Sequence, residues 1–372
     1  MTPTQVVPAA SQDARELLAA GDPQAAVRRL EAAVAFGETS AAVHHDLVRA
    51  YEQVGRLDDA VELLGRLAVA LPARRELQQQ LGALSSRALA AGRVAAATWA
   101  AERLTELDPA SRSAWSRLVA ARRRAGDVEG VRAALIEWDV ACPGDDVAEF
   151  FLSVYSGGQV AAAPAEHVRR LFDMYAPQFD HHLALLDYRA PRLVADRLAV
   201  LLAARSPAAA ATDLADLGCG TGQVGELVRD LTKRLAGVDL SPGMLQKADE
   251  RGCYDELLAG DLVEFLTARP GMFDVLVSAD TLNYLGELQP ALSAARAALR
   301  TGGVVLFTLE RGTDLPASGY RLRESGRFEH DPVALRARLV SVGFGAITIE
   351  ECVLRREGTA DVVGLLVDAV AI

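Results

Sequence analysis

The sequence predicts an α plus α/β chain: an all-helical repeat solenoid, then a doubly wound, mostly parallel sheet that closes in an antiparallel hairpin. Three observations predict it. Glycines recur at a near-constant interval up to Gly126, strand-like and helix-like runs alternate from Asp213 onward, and two β-rich runs end the chain.

Gly21, Gly55, Gly92 and Gly126 stand 34, 37 and 34 residues apart, each within a helical pattern, followed five residues later by Ala26, Ala60, Ala97 and Val131. Pro72, Pro109 and Pro143 lie 17 residues after the last three glycines, and the helices between carry Leu47 with Tyr51, or Trp115 with Leu118, on one face. A helix pair cannot cover its own apolar face, so the four units must stack into a curved solenoid. A 34-residue period of helix, glycine-bearing turn, helix and closing proline resembles the tetratricopeptide repeat. The match is good near His44 and Trp115 and poorer near Ala10 and Leu81. The resemblance implies a surface for an extended peptide, a protein partner or a second copy of the chain. The repeats are placed at 1–155, a linker with lid helices at 156–205 and the α/β domain at 206–372.

The connection, YSGGQVAAAPAE, is rich in Gly, Ala and Pro. The segment after it has apolar residues at helical spacing and an aromatic cluster of Phe172, Tyr175, Phe179 and Tyr188. Strands are expected near Asp213, Leu235, Glu256, Phe273 and Val304, with helices beginning near Val224, Pro242, Leu262 and Gln289. That alternation demands parallel strands, right-handed crossovers and helices on both faces. The final runs, AITIEECVL and VGLLVDAVAI, joined by REGTAD, predict a hairpin.

The first strand of the α/β part ends in DLADLGCGTGQVG. Gly218, Gly220 and Gly222 let the backbone approach a nucleotide, and Asp239, 17 residues past Gly222, ends the next strand where it can accept both hydroxyls of a ribose. The set Gly220, Gly222, Gly225 also satisfies the dinucleotide fingerprint, which by itself is weak. Asp216 would repel a pyrophosphate but suits an ammonium group, and Asp261 after the third strand could receive an adenine amino group. With the terminal hairpin, these residues resemble the class I S-adenosylmethionine-dependent methyltransferases over roughly 166–372. The whole chain resembles predicted bacterial methyltransferases that carry tetratricopeptide repeats.

The resemblance implies a seven-stranded sheet and S-adenosylmethionine as cofactor, leaving S-adenosylhomocysteine. It assigns the cofactor to Tyr175, Asp216, Gly218, Cys219, Gly220, Thr221, Gly222, Asp239, Leu240, Met244, Asp261, Leu262 and Ser278. FDMYAPQFD is similar to the lid that folds over the cofactor in this family, with Tyr175 against its methionine end and His181, His182 and Arg189 near the substrate entrance. After the fourth strand, Asp280, Asn283 and Tyr284 lie where an acceptor approaches the methyl. The loop GYRLRESGRFEH adds Tyr320, Arg323, Arg327 and His330. Asp280 and His330 are the candidate bases, with Tyr284 beside them and Arg323 or Arg327 clamping an anionic group. Bland readings stand beside these: Asp280 as a helix cap, His330 as a boundary residue, the arginines as solvated, and Phe172 and Phe179 as packing.

The formal charge is −11, from 39 basic and 50 acidic residues, which disfavours nucleic acid and anionic membranes as partners. Cys142, Cys219, Cys253 and Cys352 lack metal-ligand spacing and read as reduced thiols, and no apolar run is long enough to span a bilayer, so a cytoplasmic protein without metal is expected. Asn283-Tyr284 lacks the Pro-Pro-aromatic pattern of nucleobase and glutamine-amide methyltransferases. Transfer to an O, N or S atom of a small molecule or peptide is therefore expected. A catalytically silent scaffold and an NAD-type oxidoreductase are the alternatives.

Overall fold

The computed structural model describes residues 9–38, 40–70, 74–156, 158, 160–204, 212–358 and 360–372. Pro72 lies outside them. The chain divides into two compact units, Met1–Leu152 and Ser153–Ile372.

The first unit consists of antiparallel helix pairs: α1 (Ala9–Ala19), α2 (Pro23–Ala35), α3 (Ala41–Val54), α4 (Leu57–Ala70), α5 (Arg74–Ala90), α6 (Val94–Leu107), α7 (Arg112–Ala125) and α8 (Val128–Ala141), followed by α9 (Asp146–Ser156). The repeating glycines end the first helix of each pair rather than sitting within it. All four have left-handed φ, between 71° and 80°, which a side chain would strain. Asp22 and Asp127 then cap the second helices through the amides of Ala25 and Gly130. Ala26, Ala60, Ala97 and Val131, five residues on, are fully buried where the paired helices meet. The longer 37-residue interval is taken up by α5, which has 17 residues where α3 and α7 have 14. Polar bonds link first helices one repeat apart: Asp46 accepts from Ser11 at 2.5 Å and Arg15 at 2.8 Å, and Arg87 pairs with Glu52.

The second unit opens with α10 (Ala165–Tyr175), a 3-10 turn at Ala176–Gln178, α11 (Phe179–Leu185) and α12 (Ala190–Ala203). The doubly wound part follows: β1 (Asp213–Leu217), α13 (Gln223–Val228), β2 (Arg234–Asp239), α14 (Pro242–Arg251), β3 (Glu256–Ala259), α15 (Leu262–Thr267), β4 (Phe273–Ser278), α16 (Gln289–Ala298) and β5 (Leu299–Arg311). Last come β6 (Tyr320–Leu322), β7 (Phe328–His330), α17 (Pro332–Ser341), β8 (Phe344–Glu357) and β9 (Ala360–Ala371). The sheet runs β3-β2-β1-β4-β5-β7-β6, with β9 antiparallel to β5 and β8 antiparallel to β9. Successive residues face opposite sides: Leu214 packs with Val194, Leu198, Val224 and Val228 of α12 and α13, while Ala215 packs with Phe265, Leu292 and Leu335 of α15, α16 and α17.

One expectation needs correction. The sheet has nine strands rather than seven, because GYRLRESGRFEH forms the hairpin β6–β7 instead of a loop. Alternating Tyr320, Leu322, Phe328 and His330, three of them buried, carry that pairing. The connection makes contacts of its own. Ala162 bridges Leu285, and the amides of Ala163 and Gly286 bond Tyr284 and Ala161 at 2.8 Å, so this stretch is built into the second unit.

Candidate active site

Parallel strands place every β-to-α turn at one sheet edge, so the ends of β1, β2 and β4 converge. After β1, Gly218, Gly220 and Gly222 have φ of 69°, 54° and 88°. A Cβ on Gly218 would lie 2.2 Å from the Thr281 side chain, whose hydroxyl donates to the Gly218 carbonyl at 3.1 Å. The loop is tied to β2 by the amides of Gly218 and Cys219, which donate to Val238 O at 2.8 and 3.0 Å. Gly220 faces open space, with nothing within 4 Å of a Cβ built there.

Asp239 bridges this loop and the turn before α14. Its Oδ2 accepts from the Gly220 amide at 2.9 Å and its Oδ1 from the Ser241 amide at 2.8 Å. Burial pushes its carboxyl upward against the pull of those two donors. Met244 is fully buried behind it at the Ser241 cap, and Leu240 is half-buried.

The segment α10–α11 is latched over both turns. Asp173 Oδ1 accepts from Ser241 Oγ at 2.6 Å and the Gly243 amide at 3.1 Å. Asp180 Oδ1 accepts from Thr221 Oγ1 at 2.5 Å and Gln223 Nε2 at 2.8 Å, and its Oδ2 pairs with Arg251 at 2.6 Å. Sequence reasoning missed both acids, although they are the two aspartates of FDMYAPQFD, seven residues apart. Tyr175 is 39% exposed beside His182, with ring centroids 6.2 Å apart, whereas Phe172 packs edge-to-face on Phe179 and Tyr284.

Beyond β4 lies a buried ionic cluster. Asp280, at a left-handed φ of 57°, accepts through Oδ1 from Thr308 Oγ1 (3.0 Å) and Asn283 Nδ2 (3.3 Å), and through Oδ2 from Arg355 Nη1 (3.0 Å). Arg355 also binds Glu310, and Glu357 at 2.9 Å; Arg327 binds Glu310 at 3.1 Å and Glu357 at 3.3 Å. Burial pushes Asp280 up to about 6, opposed chiefly by the Thr308 donor and the Arg327 charge, and pushes Glu310 up to about 7. The phenols of Tyr284 and Tyr188 are raised by burial too, with Arg327 bonded to Tyr284 and Asp280 the foremost charge near Tyr188. Arg355, Glu310 and Tyr188 were absent from the expected site. Of these only Tyr188 had a sequence signal, as part of the aromatic cluster.

Several expected site residues have structural partners instead. Asp216 is 1% exposed and turned into the core, where Oδ2 accepts from Tyr254 OH at 2.7 Å and Oδ1 lacks a partner; burial first, then the Asp239 charge, drive it up to about 7. Asp261 Oδ1 caps α15 through the amides of Val263 and Glu264 at 2.7 and 3.1 Å, Leu262 joins the core, and Ser278 Oγ ties β4 to Leu217 O at 2.8 Å. Buried Asn283 spends its carbonyl on the Glu310 amide at 2.7 Å. His330, expected as a base, lies in the core rather than at the opening: it is 2% exposed, bonded to the Leu285 backbone, and burial lowers it to about 4. Tyr320 packs edge-to-face on Phe328 over Gly286, where a Cβ would clash with both rings. Arg323 pairs with Glu329 at 2.8 Å in the exposed hairpin turn. Arg189 leads into α12, paired with Asp187, and His181 and His182 are exposed. Buried Cys219, its thiol driven up by burial, lies inside the loop as a small apolar residue. Among the described residues no three His, Cys, Asp or Glu could hold a metal ion, and no helix is long and apolar enough to cross a membrane.

A doubly wound sheet with a glycine turn opening beside a strand-end acid has the layout of a nucleoside-binding domain, preceded in the chain by helical repeats. Residues 215–305 match the family model described as a methyltransferase domain, and residues 17–84 the one described as a tetratricopeptide repeat. The chain is 34% identical to human methyltransferase-like protein 27 over 167 residues, 42% of this chain and 66% of that protein. It is 36% identical to malonyl-[acyl-carrier protein] O-methyltransferase of Serratia marcescens over 101 residues, 27% of this chain and 39% of that protein. It thus spans under two thirds of each relative. The crystal structure of the [4+2]-cyclase SpnF aligns with 57% of this chain and 99% of its own at 20% identity and TM-score 0.45. Residues 215–305 thus carry a methyltransferase domain and residues 17–84 tetratricopeptide repeats, and the chain is similar to the class I S-adenosylmethionine-dependent methyltransferases.

The residues present fit that family's cofactor. Both Asp239 oxygens are held by backbone donors and retain lone pairs for two hydroxyls, and the place a Gly220 side chain would take is empty.

Proposed function

We propose that the protein transfers a methyl group from S-adenosylmethionine by in-line displacement to an O, N or S atom of a small molecule or peptide. The observation that carries this reading is the Asp239 carboxylate, bonded on both oxygens across the opening at Gly220. When bound, the cofactor supplies an activated methyl on a sulfonium. Asp239 grips the sugar, the left-handed glycines bring backbone close to the donor, and α10–α11 cover it, latched by Asp173 and Asp180. Tyr175 closes the methionine end, where His181 and His182 flank the entrance. Asp280 and Tyr284 line the acceptor side, with Arg327 between Tyr284 and Glu310. Positioning of this kind supplies most of the rate in such a displacement.

Named relatives include malonyl-[acyl-carrier protein] O-methyltransferases and a trans-aconitate 2-methyltransferase of Paracidovorax citrulli, 33% identical over 118 residues, 31% of this chain and 45% of that protein. Acids are therefore among the acceptors to test. The repeats are read as a seat for a peptide, a partner or a second copy. The test is thermal melting with S-adenosylmethionine, S-adenosylhomocysteine and NAD, joined to tritiated methyl transfer into cell extract. Stabilisation by the two sulfur ligands with label transfer supports the proposal. Stabilisation by NAD alone contradicts it, and binding without transfer to any fraction leaves a silent scaffold.

A further inference from the structure

We infer that Arg355 is a positioning residue of the acceptor side, fixing the Asp280 carboxylate to receive the proton of an N–H or O–H acceptor. The inference rests on reading the cradle as a methyl-donor site. Strand β8 would alternate its faces, but its register with β9 shifts between Val353 and Arg355, and Leu354 and Arg355 are buried in succession. Such a bulge re-aims one side chain. Here Leu354 lies over Gly364, where a Cβ would be 2.3 Å from its Cδ1, and its carbonyl accepts from the Arg189 amide at 2.8 Å. Arg355 is thereby turned inward, its side chain 4% exposed, onto acids from three places: Asp280 after β4, Glu310 on β5 and Glu357 at the end of β8.

A buried guanidinium is a poor way to gain stability, since an apolar side chain of similar volume often serves as well. It is a good way to fix direction. Arg355 holds Asp280 Oδ2, Thr308 and Asn283 hold Oδ1, and the next residue, Thr281, packs against the Gly218 turn of the cradle. The groups facing Asp280 are Arg355, Arg327, Glu310, Glu357, Tyr188, Tyr284 and Cys352. Both arginines are spent on the cluster's own three carboxylates, so neither is left to pair with an acceptor carboxylate, which favours a nitrogen or a hydroxyl as acceptor. In the transfer, the acceptor lone pair forms the bond to the methyl carbon and the carbon–sulfur bond breaks with its electron pair kept on sulfur. The acceptor's N–H or O–H proton passes to Asp280 and from there to water.

The test uses the full chain with ¹³C-labelled aspartate carboxyls, with and without S-adenosylhomocysteine, the Asp280 signal being assigned by Asp280→Asn. Arg355→Gln is expected to raise the Asp280 titration by a pH unit or more, Arg355→Lys to restore at least half of that shift, and S-adenosylhomocysteine affinity to stay within twofold. If Arg355→Gln does not fold, Glu310→Gln and Glu310→Gln/Arg355→Gln are compared, with the same upward shift expected between them. Tritiated methyl transferred to extract is expected to survive alkaline hydrolysis and to fall at least tenfold in the neutral variant, with recovery in Arg355→Lys. An unmoved Asp280 titration, or label released by alkali as from methyl esters, overturns the inference. If S-adenosylhomocysteine fails to bind the wild type, the methyl-donor reading falls instead, while the titration of the unliganded protein still reports on Arg355.

Discussion

At the scale of single residues, burial of charge divides the acids of the sheet edge into different tasks. Asp239 and Asp216 lie at the ends of adjacent parallel strands, yet Asp239 is held across an opening by two amides while Asp216 is sealed in the core against Tyr254. Burial raises Asp216 to about 7, so in the folded state it binds a proton that the unfolded chain releases near pH 4. Stability therefore declines as pH rises through that window, by up to about 1.4 kcal/mol per unit. Asp216→Asn removes this ionisation. It should melt above the wild type at pH 8 and converge with it near pH 4, as read by calorimetric melting across pH. Sequence alone places Asp239 at a strand end, a fixed distance from the glycines, and the structure brings it against the Gly220 amide. The roles expected of Asp216 and His330 were not legible, since a strand position does not tell which layer of the fold its side chain enters.

At the scale of elements, the β1–α13 turn and the α10–α11 segment frame the candidate site. Gly218 combines a left-handed φ with a Cβ position already filled by Thr281. Gly218→Ala should lose about 2–4 kcal/mol of stability and Thr281→Ala should recover part of it, both measurable by urea unfolding. The glycine spacing announced this turn, and the helical and strand periods announced where most elements of the doubly wound part begin. The hairpin β6–β7 and the β8 bulge were hidden. Three-residue strands give too little alternation to register, and a bulge appears only once a partner strand sets the register. The aspartates of α10 and α11 were hidden for a related reason: their partners Thr221, Ser241 and Arg251 come from two turns and the end of α14, 41 to 71 residues away.

At the scale of the whole molecule, the two units are legible in two different periods. Repeating glycines at 34 and 37 residues mark the first, and strand–helix alternation marks the second. The glycine turn, Asp239 and the α10–α11 segment all fall between Ala165 and Thr281, inside the unit Ser153–Ile372. A fragment of residues 153–372 should therefore bind S-adenosylhomocysteine within about threefold of the full chain, a difference under about 0.7 kcal/mol by calorimetric titration. What the repeats hold was not legible, because their period reports how helices stack and not what their surface meets. The central claim is that Asp239 holds a nucleoside sugar beside an open glycine turn. The most direct measurement is calorimetric titration of S-adenosylhomocysteine into the wild type and Asp239→Ala, with equal melting temperatures confirming that both are folded. A loss of at least tenfold in affinity, about 1.4 kcal/mol, is predicted; equal affinity in the two proteins would contradict the account.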